Sequence, residues 1–305
     1  MHHTAKMVKK GMVLIVVLGV TSISVFWRIN MTPPCACDRC LSEDDPWFMQ
    51  RFNKSVEPFL SANYKLSEDA FNWWKRLQAE RRSFSTYRRT VDRLFQMFPP
   101  SPVVIEPRPD RCRTCAVVGN SGNLRGSHYG PLIDFHEFVI RINRGRIQGY
   151  EADVGSRITH RVMYPESAVH LDNTTYLVMA PFKTRDFEWI MKAITIGPSG
   201  KPRIRANKNL AMFMNPAFMR YVHDMWLQKK AGYPSTGFLA LVLALHICDE
   251  VHVFGFGADS DGNWSHYWEK LRYKNLKTGG HPEGLEYKVI QELDMRRKLT
   301  FYAGW

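Results

Sequence analysis

Beyond Cys112 the chain alternates between short apolar runs and longer helical stretches, and this alternation constrains the fold more than any single motif. The strand candidates are 116–118, 138–142, 158–163, 176–180, 210–214 and 251–256. The helix candidates are 186–195, 216–229, 236–247 and 286–298. Strands that alternate with helices build a mostly parallel sheet covered on both faces, because a parallel connection has to cross back over the sheet. Upstream, Phe71, Trp74, Leu77, Val91, Leu94, Phe95 and Phe98 recur at helical spacing, and Pro99-Pro100-Ser101-Pro102 closes that region. The expected fold class is α/β, one globular domain over roughly 61–305, with no internal repeat or low-complexity tract.

Residues 12–27 carry no charge, follow Lys6, Lys9 and Lys10, and end at Trp27-Arg28. A membrane span needs roughly 17–25 apolar residues, so this run sits at the short limit. A cleaved signal peptide is the alternative, but no convincing small-residue cleavage site follows the run. The reading favoured is an uncleaved signal anchor with 1–11 as a cytoplasmic tail, 28–60 as a lumenal stem and the body in the lumen. A short span suits the thinner membranes of the secretory pathway, so the expected layout is a single-pass, type II, Golgi membrane protein.

An oxidising compartment makes the six cysteines read as three disulfides. Cys112-Arg-Thr-Cys115 would otherwise suggest a redox pair or half of a zinc site, but no complementary Cys/His knuckle is present. Sequons stand at Asn30, Asn53, Asn173 and Asn263, of which Asn53 and Asn173 are the better candidates for glycosylation. The chain is basic, 42 Lys and Arg against 29 Asp and Glu, for a net charge of +13. Its basic residues lie in short scattered groups, and no nucleic-acid-binding motif accompanies them. Anionic small-molecule partners explain the charge better than nucleic acid does.

Several local patterns can carry chemistry. The run Ala116-Val117-Val118 enters the turn Gly119-Asn120-Ser121-Gly122-Asn123, a strand end of the kind that approaches phosphates, though by itself it is no more than a connection. Tyr233-Pro234-Ser235-Thr236-Gly237 caps an apolar helix and offers a second set of polar donors. The strand at 251–256 ends in Gly255-Phe256-Gly257. Asp259-Ser260-Asp261 can be read as a divalent-metal pair for a nucleotide diphosphate or as a polar turn, and the turn is preferred. His266-Tyr267-Trp268-Glu269 and His281-x4-Glu286 each place a histidine near a carboxylate, an arrangement suited to acid–base work.

In this order, these pieces resemble the animal sialyltransferases. Cys112–Pro165 is similar to their large sialylmotif, Tyr233–Gly257 to the small one, His266–Glu269 to the third and His281–Glu286 to the very small one. The His-Tyr-Trp-Glu form and the Tyr-Pro-Ser-Thr-Gly run most resemble β-galactoside α-2,3-sialyltransferases acting on Galβ1-3GalNAc. The resemblance implies a GT-A-variant fold with a Rossmann-like sheet and an inverting, metal-independent transfer from CMP-sialic acid, with no cofactor. Carried across by position, Asn120, Ser121, Asn123, Asn143, Ser235, Thr236, Gly237 and Gly257 would contact the donor nucleotide. His281 would be the general base on the galactose 3-hydroxyl and His266 would donate to the departing phosphate. Tyr233 and Gln78 would line the acceptor cleft. The implied disulfides are Cys35–Cys40, Cys37–Cys112 and Cys115–Cys248, the last clamping the two helix N-termini around one nucleotide. The sequence departs from the family pattern inside His281-Pro282-Glu283-Gly284, and Gly197–Lys208 is short where the family carries an acceptor-side loop. Two alternatives are a membrane-tethered glycan-binding protein that has lost catalysis, and a metal-dependent transferase using Asp259 and Asp261.

Overall fold

The strand Thr114–Val118 (β1) sorts its side chains by parity. Cys115 and Val117 join one apolar layer, while Ala116 and Val118 join another on the opposite face. Burial on both faces explains why the strand reads as a continuous apolar run without polar alternation. The computed structural model describes residues 35–38, 40–42, 44–195, 203–230, 232–269 and 283–304. Within it, β1 is the third strand from one edge of a seven-stranded sheet. The others are β2 (Phe138–Ile142), β3 (His160–Met163), β4 (Tyr176–Met179), β5 (Ala211–Phe213), β6 (Glu250–Phe254) and β7 (Thr300–Tyr302). Their order is β5-β4-β3-β2-β1-β6-β7, and every neighbouring pair is parallel.

The helices are α1 (Pro46–Met49), α2 (Glu68–Trp74), α3 (Phe84–Met97), α4 (Gly130–Phe135), α5 (Glu151–Val154), α6 (Thr184–Ile194), α7 (Pro216–Tyr221), α8 (Thr236–Ile247) and α9 (Glu283–Met295). Helix α8 is apolar all round because it is buried all round: it lies on β1, β2, β3 and β6 and is covered in turn by the outer helices. Leu239, Leu241, Leu243 and Leu245 are each almost fully buried, on the order of 2 kcal/mol apiece in removed apolar surface. On that side Trp74 packs on Tyr87 and Phe187 and donates from Nε1 to Pro181 O at 2.8 Å, which joins α2, α3 and α6. The opposite face is thinner, with Leu124, Ile133, Val154, Phe254 and Tyr267 beneath α4 and α5.

The fold departs from the sequence reading in particular places. The helical stretch expected at 216–229 is α7 followed by a π-helical turn at Val222–Trp226, then Gln228 and Lys229 at φ 52° and 59°. The strand β7 is an addition to the expected set. The described part of the expected stem is packed into the body: Phe48, Phe52, Phe59 and Leu60 belong to the core, and Phe59 bridges Met214 beside β5. Four aromatic and aliphatic side chains in a stretch without periodicity are enough to anchor it. No helix among the described residues is long and apolar enough to cross a membrane; the expected anchor at 12–27 lies outside them, and Gly197–Lys208 is described only from Arg203 onward.

The disulfides join Cys35 to Cys40, Cys37 to Cys112 and Cys115 to Cys248, with Cα–Cα separations of 5.9, 4.7 and 6.1 Å. The third does not sit at a nucleotide clamp. Cys115 lies near the start of β1 and Cys248 is the C-cap of α8, the ends remote from Gly119 and Ser235. It therefore fastens the base of the sheet, beside the buried pair in which Arg113 donates to both carboxylate oxygens of Asp249. Closing a loop of sequence separation 133 restricts the unfolded chain by on the order of 5 kcal/mol in the chain-entropy account.

Candidate functional site

Strand order reverses at β1: β2 to β5 extend to one side of it and β6 and β7 to the other. Open α/β sheets bind ligands beyond the carboxyl ends of the strands at such a switch point. Here that crevice lies between the segments leaving β1, β2 and β6: Gly119–Asn123, Asn143–Gly145 and Gly255–Gly257.

The turn after β1 is held by its own backbone. Gly119 N donates to Phe254 O at 2.7 Å, Ser121 N to Gly255 O at 3.0 Å, Gly122 N to Ser265 O at 2.8 Å and Asn123 N to Ser121 Oγ at 3.2 Å. Those N–H groups are spent inside the fold, and the chain continues into a three-residue 3-10 turn, Gly122–Leu124. The turn is thus not a cradle of free amides; it presents side chains. Asn120 Nδ2 donates to Ile142 O at 3.2 Å, which ties the first turn to the end of β2. Asn123 is buried and donates to Phe256 O at 2.8 Å. At the end of β2, Asn143 takes φ 51°, and its Oδ1 accepts from Ser167 Oγ at 2.9 Å.

Helix α8 brings the second group. Ser235 is its N-cap, with Oγ accepting from Phe238 N at 3.1 Å. The same hydroxyl donates to Glu286 Oε2 at 2.6 Å, and Ser235 N donates to Glu286 Oε1 at 2.7 Å. The two groups meet across one ring. A Cβ on Gly119 would stand 3.0 Å from the Phe256 ring, and one on Gly237 would stand 3.1 Å from it, so Phe256 is wedged between the two glycines. Gly257, at φ 89°, leaves room for the Tyr287 ring of α9, which a Cβ would meet at 2.5 Å.

The segment with His266 is fastened to the first turn. Ser121 and His266 form an antiparallel bridge, and Tyr267 N donates to Asn120 O at 3.0 Å. The Arg125 guanidinium donates to the carbonyl oxygens of Tyr267 and Glu269. His266 Nδ1 lies 2.8 Å from Glu269 Oε1, and the imidazole stacks on Trp268 with centroids 4.5 Å apart. Burial opposes ionisation of Glu269, but the contacts from His266 outweigh it and hold the carboxyl below its ordinary value. Burial pushes the Tyr267 phenol up to about 12, and its hydroxyl donates to Arg146 O. His281 lies outside the described residues.

On the other side of α8, Gln78 Nε2 donates to Tyr233 OH at 3.4 Å. Tyr233 packs on Phe182 at 5.6 Å and Phe182 on Tyr164 at 6.2 Å, an aromatic row at the edge of the crevice. Asp259 closes a polar turn: Oδ1 accepts from Asp261 N at 3.0 Å and Asn263 N at 2.8 Å, and Oδ2 accepts from Asn263 Nδ2 at 3.2 Å. Among the described residues, the groupings dense enough to hold a metal ion are built on Cys35, Cys37 and Cys112, whose sulfurs are all in disulfides. Asn53 and Asn173 are exposed, whereas Asn263 is buried.

Sequence reasoning missed Phe256, Gly145 and Arg161. A Cβ on Gly145 would stand 2.7 Å from Asn120 Oδ1, so the turn after β2 must be bare for the first turn to approach. The signal was a glycine just beyond a strand end. Arg161 gave no signal, since a cation inside an apolar strand reads as a solvent-facing position.

The comparisons agree with one another. The family model of glycosyltransferase family 29 (sialyltransferase) matches residues 59–298. The chain is 43% identical to the mouse CMP-N-acetylneuraminate-beta-galactosamide-alpha-2,3-sialyltransferase 1, over 92% of this chain and 86% of the relative. It is 43% identical to the mouse sialyltransferase 2 of the same description, over 88% and 80%. A crystal structure of a mammalian sialyltransferase matches at 44% identity and a TM-score of 0.81, covering 90% of this chain and all of that one. A mammalian sialyltransferase in complex with Gal-beta-1-3GalNAc-ortho-nitrophenol matches at 42% and a TM-score of 0.79, covering 89% of this chain and all of that one. The parallel sheet, the crevice at its switch point and these matches lead to one conclusion: the chain belongs to glycosyltransferase family 29, the sialyltransferases, and is a glycosyltransferase.

Proposed function

We propose that this chain transfers sialic acid from CMP-sialic acid to the 3-hydroxyl of the terminal galactose of Galβ1-3GalNAc, with inversion and without a metal. The observation that carries the reading is the fastening of His266 onto Ser121 of the first turn, with its backbone N donating to Glu269 Oε2 at 3.2 Å and its Nδ1 2.8 Å from Glu269 Oε1. The bridge fixes the backbone that carries the imidazole to the first turn, and the ring lies against Trp268 with a carboxylate beside it. The name of the mouse relative supports the donor, and the disaccharide derivative bound to the solved neighbour supports the acceptor.

His281 would take the proton of the galactose 3-hydroxyl as its oxygen attacks the anomeric carbon of the sialic acid. The carbon–oxygen bond to phosphate breaks on the opposite face, and CMP leaves with the electron pair. His266 would meet the developing phosphate charge with a charge-assisted hydrogen bond. The leaving group is a monophosphate, so protein donors can stabilise it in place of a divalent ion. Asn120, Asn143, Thr236 and Gly237 would hold the nucleotide, and Gln78 and Tyr233 the galactose.

The body would face the lumen of the Golgi from a type II anchor at 12–27, with glycans on Asn53 and Asn173, both exposed. The test is an assay of the purified protein with CMP-sialic acid and either Galβ1-3GalNAc or Galβ1-4GlcNAc in EDTA, the linkage read by NMR. Transfer to the first acceptor in α-2,3 linkage is expected. Glycan binding without turnover would select a non-catalytic lectin, and activity lost to EDTA and restored by manganese would overturn the metal-free mechanism. Carbonate extraction and glycosidase digestion of the cellular protein check the anchor and the glycans.

A further inference from the structure

The crevice has to accept an anion, yet most of the groups expected to attract one are already used. The N–H groups of Gly119, Ser121, Gly122 and Asn123 donate within the protein. The N-terminus of α8 already holds a carboxylate, Glu286, on Ser235.

Behind the same loops lies a cation that has no carboxylate partner among the described residues. Arg161 on β3 is 7% exposed. Its Nη1 donates to the carbonyl oxygens of Asn143 at 2.9 Å and Gly145 at 3.1 Å, while its Nε is buried without a partner. No carboxylate pairs with it among the described residues. Gly145 separates it from Asn120: the Cβ position there is 2.7 Å from Asn120 Oδ1 and 3.7 Å from Arg161 Nη1. The neighbouring Arg141, also buried and also without an ion pair among the described residues, donates to Val154 O and Arg157 O instead of to the loops of the crevice. Burying an unpaired charge is expensive, and a ligand of opposite sign nearby offsets the expense.

We infer that Arg161 is a specificity-determining residue of the donor site: a fixed buried positive charge behind Asn120 and Asn143 that selects a phosphorylated nucleoside over a neutral one. It touches the loop carbonyls and acts on the ligand through the field, which low-dielectric surroundings screen weakly. The inference rests on the reading of this crevice as the CMP-sialic acid site.

Calorimetric binding of CMP and of cytidine to the wild-type protein, Arg161→Gln and Arg161→Lys separates field from packing. Glutamine can still donate to a carbonyl but carries no charge; lysine keeps the charge. For Arg161→Gln, CMP should bind about tenfold more weakly, a change of about 1.4 kcal/mol, while cytidine binds as in the wild type. Arg161→Lys should retain CMP binding within about twofold, and the difference between the wild type and Arg161→Gln should persist as salt is raised, because a buried charge is screened weakly. Equal weakening of CMP and cytidine would reduce Arg161 to a brace for the Asn143–Gly145 turn, and unchanged CMP binding would remove it from donor selection. Absence of CMP binding by the wild type would overturn the donor reading itself, and this inference with it. Circular dichroism of each variant confirms that the fold persists, and the lysine variant carries the test if the glutamine one unfolds.

Discussion

Ser235 and Glu286 hold each other by two hydrogen bonds, N to Oε1 at 2.7 Å and Oγ to Oε2 at 2.6 Å, and so bind the start of α8 to the last helix. The carboxylate is 7% exposed, so its partners cannot be replaced freely by water. Ser235 in turn caps α8 through Phe238 N. One hydroxyl therefore stabilises a helix and satisfies a buried charge together.

Ser235→Ala should lose both functions. We expect a loss of about 2 kcal/mol or more, from a missing cap and an under-satisfied carboxylate. Ser235→Thr, which keeps a capping hydroxyl, should lose much less. Urea melts of the two variants check the ranking; equal stability of Ala and Thr would mean that the contact contributes nothing.

The glycines flanking Phe256 should differ sharply in tolerance. A Cβ on Gly119 collides with the carbonyl oxygen of Gly255, part of the β6 end that holds the first turn. A Cβ on Gly237 meets only the edge of a phenylalanine ring, at 3.1 Å. Gly119→Ala should cost about 3 kcal/mol through forced backbone movement, and Gly237→Ala about 1 kcal/mol or less. Thermal denaturation of both proteins tests the order, and a reversed order would contradict the wedge.

Glu269→Gln removes the charge that faces His266 Nδ1 at 2.8 Å while keeping the size of the side chain. We expect kcat to fall on the order of tenfold to a hundredfold, with little change in the KM for donor. The depressed pKa of Glu269 means that its stabilising contact with His266 is present at neutral pH and is lost as pH falls through the folded value. Steady-state kinetics across pH test this; a rise in donor KM with unchanged kcat would place Glu269 in binding instead.

Two buried histidines, His136 and His160, and the half-buried His246 set the acid limit of the fold. Burial lowers His160, stacked on Tyr176, to about 4. Burial and then the charge of His252 lower His136 to about 4, and burial followed by the charge of Lys54 lowers His246 to about 4. The unfolded chain binds protons at these sites near pH 6.5, and the native chain does not. Their contribution is therefore complete above pH 6.5 and is lost as pH falls from there to about 4, by about 1.4 kcal/mol per histidine per pH unit. Urea melts at pH 7.0, 6.0 and 5.0 should show a steepening loss. His160→Gln, which removes a proton-binding site but keeps a polar side chain, should flatten the curve by about one proton; an unchanged slope would exclude His160.

The sheet was legible because its central strands carry apolar runs buried on both faces: Val139-Ile140 and Leu177-Val178 have no other stable place than an interior. Helix α8 was legible for the same reason, and Pro234-Ser235 marks its start. β7 was not legible, since Thr300-Phe301-Tyr302 is a half-exposed edge strand too short to show a period. The site was legible as residues and illegible as bonds. Nothing local distinguishes a free amide from one spent on a strand far along the chain, so the self-contained Gly119–Asn123 turn could only be seen in three dimensions. The placement of Cys115–Cys248 at the base of the sheet follows from strand and helix direction, which pairing alone does not supply.

The position of β1 also dictates an order of events during synthesis. Its neighbour β2 follows closely, but its other neighbour, β6, begins only at Glu250. A nascent chain that has emerged through α7 can pair β1 to β5 yet presents β1 to the cell as a naked edge, with Cys115 still a thiol. Cys112 and Cys37 are already available to that thiol before Cys248 has left the ribosome. The Cys115–Cys248 bond therefore cannot close until the last fifth of the polypeptide has begun to emerge, and a chain cut short before Cys248 keeps a Cys115 thiol that can exchange only with the cysteines nearer the amino end.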